Sequence, residues 1–239
     1  MELINSKGNR TLIYAKTIED ACIEQLKALI ENPAYVDEKI RIMPDTHAGK
    51  GSVIGFTSTY SDKIIPNTVG VDISCGMLCV KLGNVDIDLQ AFDNLVRLKI
   101  PSGMCIHDDK VVPFKELEDL KCFRSLNDMK RIHRSIGTLG GGNHFIELDK
   151  NDNGDIYLVI HTGSRNLGKQ VCEYYQKIAI DLCHGKEEWY NERERIIREY
   201  KRQGRKNEIQ DALRGLKYKY KECSISDEQC YLYGKFMDD

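Results

Sequence analysis

The chain has 239 residues, 41% hydrophobic and 30% charged, enough for one large domain or two small ones around a real core. A formal net charge of -2 excludes nucleic-acid binding through bulk charge, so an anionic ligand has to be held by a local patch or a metal ion. No apolar run reaches the roughly 18–20 residues of a bilayer span, and residues 1–7 do not form a signal peptide.

Taken in order, residues 11–16 read as extended. Thr17 stands where it can cap a helix in which Ile18, Ala21, Cys22, Leu26 and Leu29 recur at helical spacing. Asn32-Pro33 stops that helix. Residues 39–43 alternate as a strand and run into a polar, glycine-rich loop, 43–55. Residues 78–82 form a further strand with Cys79 as a core thiol, and Asp88 caps a helix over 88–99. Residues 127–136 are helical, with His133 on the solvated side, and His107 lies in an exposed polar stretch. Asn151-Asp152-Asn153-Gly154-Asp155 is a hairpin turn. The returning strand, 156–160, is apolar enough to be central. Residues 169–183 form a helix with His184 in its C-terminal turn. Residues 187–222 are dense in Arg, Lys and Glu and read as exposed helices broken at Gly204, a solvated extension in preference to an RNA-binding arm. Residues 231–239 have the pattern of a helix interrupted midway. The fold class is α+β, with residues 1–186 carrying the chemistry and 187–239 a charged helical extension.

Nine cysteines, an odd number in a chain this large, indicate free thiols in a reducing, cytoplasmic setting. One of them, Cys75, stands three residues after Asp72 in Val-Gly-Val-Asp-Ile-Ser-Cys-Gly-Met (69–77). The flanking glycines and Ser74 allow a turn that brings carboxylate and thiol to one ion. In the second informative stretch, 137–148, four glycines in six residues let backbone N–H groups approach an anion, and Asn143 and His144 follow just before a strand. His161 closes the central strand, and the Gly163-Ser164-Arg165 turn after it suits a phosphate. In the loop 43–55, Asp45 and His47 fall on one side of an extended backbone, an arrangement that supports an imidazole near a metal. Asp72, Cys75, His144 and His161 form a mixed O, S and N donor set. Thiolate and imidazoles favour Zn2+ or Co2+, and the carboxylate also admits Mn2+ or Fe2+. The residues alone therefore support metal-dependent chemistry on a phosphate ester.

Four ordered motifs carry a closer resemblance: Met-Pro-Asp-Thr-His-Ala-Gly-Lys-Gly (43–51), Val-Gly-Val-Asp-Ile-Ser-Cys-Gly-Met (69–77), Gly-Thr-Leu-Gly-Gly-Gly-Asn-His-Phe-Ile-Glu (137–147) and His-Thr-Gly-Ser-Arg-Asn-Leu-Gly (161–168). With Pro101-Ser102-Gly103, they resemble the RtcB family of GTP- and Mn2+-dependent RNA ligases across residues 40–170. The resemblance implies that Asp72, Cys75 and His144 hold one Mn2+, and that Cys75 bridges to a second ion bound by His161. It implies that Asn143, His144, Phe145, Ile146 and Glu147 line a guanylate site, and that Arg165, with Asn143, holds an RNA phosphate. The implied reaction joins an RNA 3'-phosphate or 2',3'-cyclic phosphate to a 5'-hydroxyl, through a histidine that takes GMP from GTP and passes it to the RNA end. None of the six histidines matches the nucleophile's motif, so no catalytic residue is assigned within this chain, and the resemblance implies a missing C-terminal half in a truncated or split protein. Two other classes stand beside the ligase: a metal-dependent phosphatase or cyclic phosphodiesterase, and a non-catalytic RNA-binding fragment.

Overall fold

The computed structural model describes residues 1–109 and 112–237, in an α+β arrangement of small sheets and seven α-helices among those residues. They form two compact units, Met1–Val69 with Tyr175–Asp239, and Gly70–Tyr174. The compositional step at 186/187 falls inside the first unit.

The first unit opens with β1 (Glu2–Ile4), β2 (Arg10–Ile13), α1 (Asp20–Ile30), β3 (Ile40–Ile42) and β4 (Phe56–Ser58). The four strands form one sheet in the order β1-β2-β3-β4, with the β2–β3 pair parallel. Helix α1 supplies the crossover that a parallel pair requires. Alternation places Ile40 and Ile42 in the core with Arg41 half-exposed between them, and α1 adds Cys22, Leu26, Leu29 and Ile30. Each fully buried Leu stabilises this core by about 1.5–3 kcal/mol. Thr17 does not cap α1: the helix starts at Asp20, after Glu19, whose side chain makes no capping bond. β5 (Lys63–Ile64) and the single turn α2 (Pro66–Val69) end this stretch.

The second unit is built on β6 (Gly76–Gly83), α3 (Leu89–Lys99), α4 (Met129–Ser135), β7 (Phe145–Lys150) and β8 (Ile156–Thr162). Its antiparallel sheet has the order β6-β8-β7, so β8 is central, as its apolar run predicts. The β7–β8 hairpin closes where expected, with Asn151 Oδ1 accepting from the N–H groups of Asn153 and Asp155. Asp88 caps α3 by accepting from Ala91 N–H at 2.9 Å. Strand β6 lies at the sheet edge, and Met77, Leu78, Val80 and Leu82 on it are exposed. Cys79 is therefore exposed, not a core thiol. His133 on α4 is only half-exposed, and its Nδ1 is buried without a hydrogen-bond partner among the described residues, so its ring does not sit in solvent as the flanking arginines suggest. His107 is likewise half-buried, its Nε2 3.3 Å from the Gly137 carbonyl.

Helix α5 (Arg165–Cys183) starts four residues earlier than its apolar pattern indicates and leads back into the first unit. There α6 (Glu187–Arg202) and α7 (Ile209–Arg214) carry the charged segment, and the break at Gly204 is present, with φ +74°. Residues 231–237 do not form an interrupted α-helix. They start as β9 (Leu232–Tyr233), paired antiparallel with β5, and end in a short 3-10 turn; residues 238 and 239 lie outside the described residues. Gln176 ties this end down: its Oε1 accepts from Asn67 N–H, and its Nε2 donates to the Asp227 and Cys230 carbonyls. Gln176→Ala withdraws all three bonds in a buried place and is expected to lower stability by about 1–3 kcal/mol in urea denaturation.

Candidate metal centre

The centre is assembled wholly within the second unit. The Asp72–Cys75 turn closes through Cys75 N–H donating to the Asp72 carbonyl at 2.9 Å. It needs Ser74 at φ +63° and Gly70 at φ +99°. A serine in the left-handed region is uncommon and strained, and such outliers cluster at functional sites. The turn leads into β6, whose Met77 pairs with His161 on β8, and on the other side of β8 Phe145 is opposite His161. This register brings the thiol of one strand entrance beside the histidine at the end of its neighbour. Cys75 Sγ is 3.1 Å from His161 Nε2 and 3.7 Å from His144 Nε2. His144 Nε2 is also 2.9 Å from Asp72 Oδ2.

The orientation of the two imidazoles follows from their other nitrogens. His144 Nδ1 faces the Leu139 carbonyl at 3.0 Å, and His161 Nδ1 faces the Asn143 carbonyl at 3.1 Å. A carbonyl only accepts, so each Nδ1 carries the proton and a neutral ring keeps its lone pair on Nε2. The His144 lone pair points at Asp72 Oδ2 and the His161 lone pair at Cys75 Sγ, so the side chains converge as donors on a point that suits a cation. The donor atoms of Cys75, His144 and His161 all lie within 4.8 Å of one another. The 2.9–3.7 Å contacts match the edges of a coordination shell with bonds of about 2.0–2.3 Å. Loss of part of its hydration, and then the hydrogen bond and charge of Asp72, push the exposed Cys75 thiol up from its ordinary value. Metal coordination reverses that preference, because a ligating thiol is deprotonated.

Space around the centre is set by missing side chains. A Cβ on Gly163 would lie 2.4 Å from both Asp72 carboxylate oxygens, and one on Gly140, at φ +91°, would meet Arg165 Nη1 at 1.6 Å. Arg165 sits at the start of α5 with φ +56°. Its Nε donates to Thr138 Oγ1 at 3.2 Å and its Nη2 to the Gly103 carbonyl at 3.0 Å. The Pro101-Ser102-Gly103 segment is in turn bonded to the glycine loop through Leu139 N–H to the Pro101 carbonyl and Gly103 N–H to the Gly140 carbonyl. The guanidinium is thus aimed by two segments that are themselves bonded together.

The remaining predicted residues are placed differently. Asn143 contributes its carbonyl to His161, and the Phe145 ring meets His161 edge-on at 5.3 Å. Strand alternation sends Ile146 to the opposite face, where it lines an apolar cavity of about 460 Å³ with Ile132, Ile160 and Leu167. Glu147 is exposed. Asp45 and His47 belong to the first unit, and there the Asp45 backbone carbonyl, not its carboxylate, holds His47 Nδ1 at 2.8 Å. Three contributors escape sequence reasoning. Ser164 Oγ donates to Asp72 Oδ1 at 3.4 Å, Thr138 holds Arg165, and the Leu139 carbonyl serves both His144 and Thr162. Ser164 and Thr138 lie inside the informative motifs; the carbonyl of an apolar residue leaves no trace in sequence.

Comparison with known proteins adds an independent line. The family model described as "tRNA-splicing ligase RtcB" matches residues 25–121 and 119–202. The "RNA-splicing ligase RtcB" of Escherichia coli is 33% identical over 207 residues, covering 76% of this chain and 49% of that protein. The "RNA-splicing ligase RtcB homolog 2" of Entamoeba dispar is 27% identical over 68% of this chain and 41% of its own length. For the "tRNA-splicing ligase RtcB" of Nanoarchaeum equitans the values are 26%, 70% and 46%. The chain spans about half the length of the curated relatives it matches.

Proposed function

The chain belongs to the RtcB family, and from that membership we propose that it carries the metal- and phosphate-binding part of an RNA ligase that joins a 3'-phosphate or 2',3'-cyclic phosphate to a 5'-hydroxyl with GTP and Mn2+. Asp72, Cys75 and His144 would hold one ion, and Cys75 and His161 would hold a second. The observation that carries this reading is the pair of Nδ1–carbonyl contacts, which aim both Nε2 atoms at Cys75 and Asp72. Bound Mn2+ would neutralise phosphate charge and orient the phosphate for displacement.

The chain's own residues do the rest by position. Arg165 offers the guanidinium donors left by Thr138 and Gly103 to a phosphate of the RNA end. The glycine loop exposes its backbone to the guanylate, with Asn143, His144 and the Phe145–Glu147 strand beside it. All nine cysteines are free, which suits a reducing, cytoplasmic setting, and no helix among the described residues is long and apolar enough to cross a membrane.

Because His144 and His161 are assigned to metal, and no histidine here matches the nucleophile's motif, we propose that this polypeptide alone binds Mn2+ without forming a guanylyl adduct. Incubation with GTP and Mn2+ is expected to leave the intact mass unchanged while equilibrium dialysis shows retained Mn2+. A stable GMP adduct would overturn the histidine assignment, and loss of Mn2+ binding would overturn the centre.

A further inference from the structure

The segment 217–221 reads Lys-Tyr-Lys-Tyr-Lys, and it runs beside the chain's single tryptophan, Trp189 on α6. We propose that this run and Trp189 form a binding site for single-stranded RNA: a base enters the cavity bordered by Trp189 and Tyr218, and Lys217, Lys219 and Lys221 hold the adjoining phosphates. That the strand is RNA rests on the ligase reading above. The site itself stands on its own geometry, entirely within the first unit.

The cavity has a volume of about 290 Å³ and is lined by Trp189, Tyr218 and the three lysines together with Glu188 and Glu192. That volume lies at the small end of ligand sites, suited to one planar group and not to a larger molecule. Its aromatic wall is held in place. Lys186 Nζ lies 4.8 Å from the Trp189 ring centre and 5.0 Å from that of Tyr218, and it is anchored by Asp181 at 3.0 Å. Tyr190 Oη donates to the same carboxylate at 2.7 Å. Tyr218 remains 43% exposed and Tyr220 59%, although neither is needed to cover the core, and Tyr220 already shows the stacking mode, lying parallel to His184 at 4.6 Å. The exposed part of Tyr218 is ring surface on which a further planar group can stack.

The charge also fits a polyanion. Lys217, Lys219 and Lys221 make no ion pair with a described residue, whereas Lys186 is neutralised by Asp181. Of the two acids, Glu192 is engaged by Arg195 through both oxygens, at 2.8 and 2.7 Å, leaving Glu188 as the opposing charge in the lining. The lysines recur every second residue in a segment outside helix and strand, a spacing that suits successive phosphates of a single strand, and duplex RNA, whose bases are already stacked, has no free face to offer.

Trp189 makes the test direct, since its emission reports on this site alone. Titration with an oligouridylate of about 10 nucleotides is expected to quench it saturably. Tyr218→Ala should weaken binding about fivefold or more, and the combined Lys217→Gln and Lys219→Gln chain should flatten the salt dependence of log K by about 0.7 per lost contact. Glu188→Gln should tighten binding, and Cys75→Ala should leave it unchanged, which separates this site from the metal centre. Binding that neither quenches Trp189 nor responds to Tyr218→Ala would overturn the proposal, as would equal affinity for duplex RNA or for poly-glutamate. Since Tyr218 is exposed, circular dichroism of Tyr218→Ala is expected to match the parent.

Discussion

Replacing Cys75 with alanine is expected to weaken divalent-metal binding by about 100-fold or more and to remove the metal-induced rise in melting temperature. Outer partners of metal ligands already change affinity by about 10–100-fold, and Cys75 is the donor that meets both His144 and His161. In the parent chain, metal at about 100 times its dissociation constant adds about 2.7 kcal/mol, or about 5–10 °C for a chain of this size. The substitution should cost little stability without metal, because Cys75 is exposed and packs against no core. Cys79→Ala, four residues along the same exposed edge, is the matched control and should keep full affinity. Calorimetry with Mn2+ on the three chains checks the prediction, and an unaltered Cys75→Ala titration would sink the centre. Asp72→Asn should fall between, since the amide keeps one oxygen for the ion and loses the charge.

Much of this site is legible before folding, because its donors lie in short motifs where glycine, carboxylate, thiol and imidazole are close in sequence. The Asp72–Cys75 turn, the hairpin at Asn151–Asp155, the central position of β8 and the Asp88 cap are all local features, set by turn chemistry and periodicity over a few residues. What is not legible depends on partners far away. The two carbonyls that fix the imidazoles come from backbone at Leu139 and Asn143, which carry no chemical signature. Cys79 has the alternation of a core strand, yet β6 has a neighbour on one side only and leaves its apolar residues exposed. Thr17 is a good capping residue that loses to the path of the chain, which turns into α1 three residues later. Residues 231–233 have helical spacing but pair with β5, some 170 residues earlier, and a strand partner that distant cannot be read from a local window.

Gly140→Ala is the substitution expected to damage the protein most. At φ +91° the backbone itself disfavours any side chain, a strain of about 1–3 kcal/mol. The new Cβ would also lie 1.6 Å from Arg165 Nη1 and 2.9 Å from His144 Nδ1, so it cannot be accommodated by a small shift of one flexible atom. Arg165 is held by Thr138 and Gly103, and His144 by Leu139, so displacing either breaks a bond that aims it. Two consequences should appear together: a fall in stability exceeding about 3 kcal/mol, and loss of metal binding in whatever fraction stays folded. Gly142→Ala separates strain from collision. That glycine has φ +73° but nothing within 4 Å of its Cβ, so it should show the backbone strain alone, about 1–2 kcal/mol, with metal affinity retained. Denaturation and Mn2+ titration of the two variants side by side decide the matter. Equal effects at both positions would mean that the close approach of Gly140 to Arg165 does not shape the centre. A larger effect at Gly140 on metal binding than on folding would place the glycine loop, and not the metal donors alone, in control of the centre's geometry.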